Sequence, residues 1–137
     1  MIDYLKFLEE YGLWPMDNWH HFDFVHQRPT GPVERMEQLD RLRDAVGLAQ
    51  GLYAYKRCND WIYVGKASSL FGRLENHYRS SYEPVPGDTK TQKWHRFFSE
   101  NTGVLTVYWK EVENEKDRRI FELASTEQLG PRFEAFR

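Results

Sequence analysis

Residues 51–79 concentrate the side chains that can hold an anion and move a proton. Two apolar-aromatic runs, 51–56 and 61–66, flank the polar turn Arg57-Cys58-Asn59-Asp60, the pattern of a β-hairpin. Ala67-Ser68-Ser69 follows with hydroxyls suited to a helix N-cap, and Leu70, Phe71, Leu74 and Tyr78 recur at helical spacing. Arg73 and His77 are four residues apart, so on that helix they share one face about one turn apart. A guanidinium and a titratable imidazole then point together at whatever the hairpin tyrosines, Tyr53 and Tyr63, face. The guanidinium can neutralise an anionic oxygen, and imidazole or phenol can carry a proton. Tyr53 and Tyr63 share a face only if positions of equal parity pair across the hairpin, as a three-residue loop provides; a two-residue loop turns them to opposite faces.

Gly51-Leu52-Tyr53, followed by Tyr63-Val64-Gly65 with ten residues from Tyr53 to Tyr63, resembles the signature of the GIY-YIG nuclease superfamily, with Leu and Val in place of its two isoleucines. Lys66, Arg73 and His77 stand where the repair and restriction members of that family carry polar active-site residues. Near the C-terminus, Phe121-Glu122-Leu123 and then Leu129-Gly130-Pro131-Arg132-Phe133-Glu134 resemble the family's helix with a metal-binding Glu and its following Pro-x-aromatic-Asn. Glu134 takes the place of that Asn. An amide donates and accepts hydrogen bonds whereas an ionised carboxylate only accepts, so if this position fixes the active-site tyrosine or a backbone group, its bonding must be rearranged. The resemblance covers roughly residues 51–134; residues 1–50 take no part in it.

The resemblance implies a metal-dependent DNA endonuclease that hydrolyses phosphodiester bonds and leaves 5′-phosphate ends, cutting one strand or both. Glu122 would hold one Mg²⁺ (or Mn²⁺) ion per active site, with water and the substrate phosphate completing its coordination. Arg73 fits a bidentate clamp on the phosphoryl oxygens. Tyr53 is a candidate base for the attacking water, its pKa lowered by the ammonium of Lys66; His77 is the competing base or a proton shuttle. Tyr63 orients water or phosphate. The runner-up reading is a catalytically degenerate module that binds branched or nicked nucleic acid without cutting it.

The 137 residues make one domain by size, long enough to bury a core. No stretch approaches a membrane span and the N-terminus carries no secretion pattern, so a cytoplasmic protein is expected. The single Cys58 reads as a surface thiol of a reducing compartment. A net charge of −2 is unusual for a DNA-binding chain, but its distribution is uneven. Residues 1–50 hold five Lys/Arg against nine Asp/Glu, residues 51–110 nine against five, and residues 111–137 five against seven. Basic charge therefore collects on the segment with the motif. Lys66, Arg73, Arg79, Lys90, Lys93 and Arg96 are its candidate phosphate contacts, the last three beside His95 on the outer face of one helix.

Around this segment the chain predicts a short helix over 3–12 and an irregular aromatic stretch over 14–26. A helix then opens at Thr30-Gly31-Pro32, with Thr30 as cap, and carries the stripe Val33, Met36, Leu39, Leu42 and Val46 to Gly47. That acidic helix packs on the module, covers its basic face or forms a homo-oligomer contact. The cluster 20–26 contains three histidines and an aspartate, but structural zinc favours four ligands at recurring spacings, usually with thiolates, so an aromatic loop plugged into the domain is expected. After a loop over 80–87, a helix capped by Asp88 or Thr89 runs to about 100, a strand covers 104–112, and Asn114 caps a last helix over 115–129 ended by Gly130-Pro131. The result is an α+β fold: a three-stranded, mainly antiparallel sheet flanked by helices (residues 48–137), with an N-terminal helical extension (residues 1–47).

Overall fold

The computed structural model describes residues 3–132; Glu134, which replaces the family Asn, lies outside them. The chain order is α1 (Tyr4–Glu10), β1 (His20–Val25), α2 (Pro32–Val46), β2 (Gly51–Arg57), β3 (Asp60–Ala67), α3 (Leu70–Tyr82), α4 (Thr89–Glu100), β4 (Val104–Glu111) and α5 (Glu115–Leu129), with a 3-10 turn at Met16–Asn18. Local signals set most boundaries. Side chains of Asp3, Ser69, Asp88 and Asn114 accept backbone N–H groups at the starts of α1, α3, α4 and α5, each satisfying donors that a helix leaves orphaned. Gly130 closes α5 in the left-handed conformation at φ 57°. At α2 the expected cap differs: Gly31 is the N-cap, and the Thr30 hydroxyl donates to Glu34 at 2.8 Å.

The sheet is antiparallel throughout and has four strands in the order β1-β4-β2-β3, one more than the sequence predicts. The added strand is β1, from the stretch read as an irregular aromatic loop. Phe22, Phe24 and His26 turn inward at every second position, while His21 and Asp23 are exposed, so polar residues hide the alternation. The three histidines separate: His20 stacks on Trp109, His21 on Tyr108, and His26 is buried with Nε2 3.1 Å from the Tyr55 hydroxyl.

Helices cover both faces. On one, α2, α3 and α4 bury Leu42, Val46, Leu70, Leu74, Tyr78, Trp94, Phe97 and Phe98 against Tyr53, Tyr55, Tyr63, Leu105 and Val107. On the other, α1 and α5 pack Leu8 and Ala124 on Leu52, Ala54 and Val64. Only the C-terminal half of the α2 stripe is used, since Leu42 and Val46 are buried and Val33 and Met36 exposed.

The hairpin register decides the site. Tyr53 pairs with Gly65 and Tyr55 with Tyr63, but the next pair is Lys56 with Trp61, leaving Ile62 as an extra residue. The connection is the two-residue loop Cys58-Asn59, with Cys58 exposed at φ 55°; the bulge restores equal parity and brings Tyr53 and Tyr63 to one face. Gly65 allows this packing, because a Cβ there would lie 2.7 Å from both Tyr53 Cζ and Tyr63 Cε2. Gly51 is needed for the same reason on the other side, where a Cβ would strike the Lys110 carbonyl oxygen.

Two expected outcomes follow from the core. Gly65→Ala overpacks the tyrosine layer and should lower stability by about 1–3 kcal/mol, read as a lower urea midpoint; an unchanged midpoint would show that the rings can move aside. Burial lowers the His26 pKa from its ordinary 6.5 to about 3 and the His77 pKa well below 6.5. Between those limits the unfolded chain takes up protons that the folded chain refuses, so stability is full above pH 6.5 and falls with acid, each histidine contributing about 1.4 kcal/mol per pH unit. His26→Phe, which keeps a ring against Phe98, should flatten that slope when Tm is followed against pH, at the cost of the bond to Tyr55.

Candidate active site

Tyr53, on β2, is fully buried, and its hydroxyl lies 2.7 Å from His77 Nε2 of α3. This distance marks a short hydrogen bond between two buried groups, of which His77 keeps 2% exposure. Arg73, one turn earlier on α3, brings its positive charge to bear on the Tyr53 phenol. Tyr63 stands beside them, its ring centroid 5.9 Å from that of Tyr53 and 4.9 Å from Trp94. Trp94 closes over the imidazole with centroids 3.9 Å apart. A phenol, an imidazole and a guanidinium are thus gathered in an aromatic box, and the i, i+4 spacing of Arg73 and His77 on α3 faces both toward the tyrosines.

Burial raises the Tyr53 pKa well above 10, reinforced by Tyr63 and Tyr55 and opposed by Arg73. Burial lowers that of His77, with His26, Arg73 and Lys90 acting in the same direction. Both groups are therefore neutral near pH 7 and joined by one hydrogen bond. This corrects the expectation that Lys66 lowers the Tyr53 pKa. Lys66 on β3 pairs with Leu52 of β2 and is exposed, so its parity sends it to the opposite face; the cation acting on Tyr53 is Arg73.

Above the buried pair lies a cleft of about 290 Å³ lined by Arg73, His77, Arg79, Lys90 and Trp94, with Glu83 its acidic member. Of the predicted phosphate contacts, Arg73, Arg79 and Lys90 line this cleft, whereas Lys93 and Arg96 do not. His95 is not on the outer face of α4: its Nδ1 donates to the carbonyls of Ser80 and Ser81 at 3.2 and 3.1 Å. A second, smaller cleft of about 160 Å³ at the end of β3 is lined by Lys66, Ala67, Ser68, Arg73, Glu115 and Arg118. Arg73 lines both.

Glu122 sits half-buried on α5, the helix that covers the face of the sheet opposite Tyr53 and His77. α5 packs against β3, an edge strand of the sheet. One turn before Glu122, the buried Arg118 anchors the start of α5 by donating to Gln50 Oε1 and to the carbonyls of Val112 and Glu113 at 2.8–3.0 Å. Its buried bonding has no signature in the sequence, where Arg118 is one charge in a helix rich in charges. Among the described residues no three His, Cys, Asp or Glu side chains gather as a ready-made metal site.

No protein-family model matches the chain, and no curated protein matches it. Among solved structures it is similar to the GIY-YIG N-terminal endonuclease domain of UvrC from Thermotoga maritima. A point mutant of that domain bound to its catalytic divalent cation is 24% identical over 70% of this chain and 97% of that one, with a TM-score of 0.46. The magnesium-bound form is 24% identical over 70% of this chain and 98% of that one, with a TM-score of 0.45.

Proposed function

We propose that the protein is a metal-dependent endonuclease that hydrolyses phosphodiester bonds of DNA. The observation that carries this reading is the buried Tyr53–His77 hydrogen bond of 2.7 Å beside Arg73, beneath a cleft with basic walls. It stands with the Gly-Leu-Tyr and Tyr-Val-Gly segments that build this arrangement.

In the proposed reaction Arg73 clamps the scissile phosphate through two donors, and its charge offsets that on the phosphoryl oxygens. Water is deprotonated at the edge of the Tyr53–His77 pair. His77 lines the cleft while Tyr53 is fully covered, so His77 takes the water proton at the ring nitrogen not bonded to Tyr53 and returns it to the leaving oxygen, while the phenol oxygen accepts from Nε2–H and holds the imidazole in that tautomer. Tyr63 and Trp94 exclude water and hold the imidazole. Lys66 contributes a second cation at the end of β3. Glu122 is a single oxygen donor, which fits one hard, largely hydrated Mg²⁺ or Mn²⁺ ion rather than a caged one. Such an ion, when bound, supplies charge neutralisation at the phosphoryl oxygens and a lowered water pKa.

One observation favours the second reading, a module that binds branched or nicked DNA without cutting it: Glu122 and the Tyr53–His77 pair occupy elements on opposite faces of the sheet. Supercoiled plasmid with Mg²⁺, with and without EDTA, separates the two. The nuclease reading expects nicked or linear product that EDTA abolishes, and Glu122→Ala should lose cleavage while retaining DNA binding, which comes from Lys and Arg. Binding without any product under all metals tried would establish the second reading.

The division of labour between phenol and imidazole has its own test. His77→Ala should lower the rate by ~10² or more and Tyr53→Phe by less, as expected when the base is the group at the cleft. Because the His77 pKa lies well below 6.5, the acid limb of kcat/KM in the free enzyme should also fall below pH 6.5. A limb at or above pH 6.5, or a Tyr53→Phe variant deader than His77→Ala, would reverse the roles.

A further inference from the structure

The N-terminal segment, which has no part in the motif, brings charge to the same surface. Beside the active-site cleft lies a wider groove of about 630 Å³ whose lining includes Arg28, Arg35, Arg79, Tyr82 and Glu83. The two depressions share Arg79 and Glu83 as walls, so they form one track running from Arg73 and His77 past Arg79 to Arg28 and Arg35. Five cations line it (Arg28, Arg35, Arg73, Arg79 and Lys90) against one carboxylate, Glu83. This runs against the composition of the segment that supplies two of them, because residues 1–50 are net acidic.

Arg28 is held in place. Its Nη2 donates to the Tyr82 carbonyl at 2.8 Å, and its guanidinium lies 5.5 Å from the centroid of the Tyr82 ring. One donor is used there, and a guanidinium has five. Arg35 is exposed on α2. Arg79 is bound to Glu75 at 2.9 Å on its own helix, an exposed pair of the kind that exchanges readily for a phosphate. Extended rows of arginine suit a polyanion with regularly spaced phosphates.

We infer that residues 28–35 are part of the DNA-binding surface: Arg28 and Arg35 hold backbone phosphates of the strand that leaves the active-site cleft past Arg79. The segment before β2 is then a substrate-binding extension and does not shield the basic face. This rests on the reading of the chain as a DNA-binding nuclease.

The test uses the full chain, a fluorescent duplex and EDTA, so that binding is followed by anisotropy without cleavage. Arg35→Glu should weaken binding about tenfold and reduce the slope of log affinity against log salt by about one, as for one lost phosphate contact; Arg35→Ala should give a smaller loss with the same change in slope. Lys116→Glu, exposed on α5 across the sheet, makes the same change in net charge and should leave both quantities near wild type. If Lys116→Glu weakens binding as much as Arg35→Glu, the effect is one of overall charge and the inference fails. If Arg35→Glu binds like wild type while Arg73→Ala binds weakly, the inference fails and the nuclease reading stands. If the wild type does not bind DNA, both fail. Unchanged circular dichroism and Tm in Arg35→Glu, a substitution at an exposed helical site, exclude misfolding as the cause.

Discussion

The register of one hairpin governs the molecule. A two-residue turn by itself would send Tyr53 and Tyr63 to opposite faces of the sheet. The extra residue Ile62 cancels that shift, and from this single insertion Tyr53, Tyr55 and Tyr63 all enter the layer beneath α3 and α4. Gly65 then matters because Tyr53 and Tyr63 occupy the space a side chain would take. A β-bulge beside a reactive group is a common way to re-aim a side chain; here it assembles the whole aromatic box.

Within that box burial sets the protonation states. Desolvation favours neutral forms of both phenol and imidazole, so the Tyr53–His77 pair carries no net charge. Arg73 is the cation against it, and by lining both clefts it links the tyrosine layer with the end of β3, where Lys66 and the start of α5 lie. A second buried pair, Tyr55 with His26, repeats the arrangement. It ties β1 to the central strand through a polar contact that must remain uncharged to stay buried.

The sheet separates the remaining parts. Lys66 and Glu122 belong to the face covered by α1 and α5, while the tyrosines, Arg73 and His77 belong to the face covered by α2, α3 and α4. The N-terminal segment is integrated into this plan, since β1 pairs with β4 along its full length and the chain leading into α2 delivers Arg28 and Arg35 beside Arg79.

What the sequence determined by itself was local: the hairpin, the helices with caps at a hydroxyl of 67–69, at Asp88 or Thr89 and at Asn114, the stop at Gly130, and the shared face of Arg73 and His77. Each of these depends on residues within one or two turns of each other, so their chemistry is written in adjacent letters. Tertiary structure decided the rest. The strand His20–Val25 exists because β4 offers it an edge, and its exposed polar positions disguised the alternation that burial of Phe22 and Phe24 required. The sign of the Tyr53 pKa shift depended on enclosure by distant aromatic residues and on which face Lys66 takes. The arginine track joins residues about fifty positions apart. Desolvation, strand pairing and pooled charge are long-range properties, and they take values only once the chain has folded.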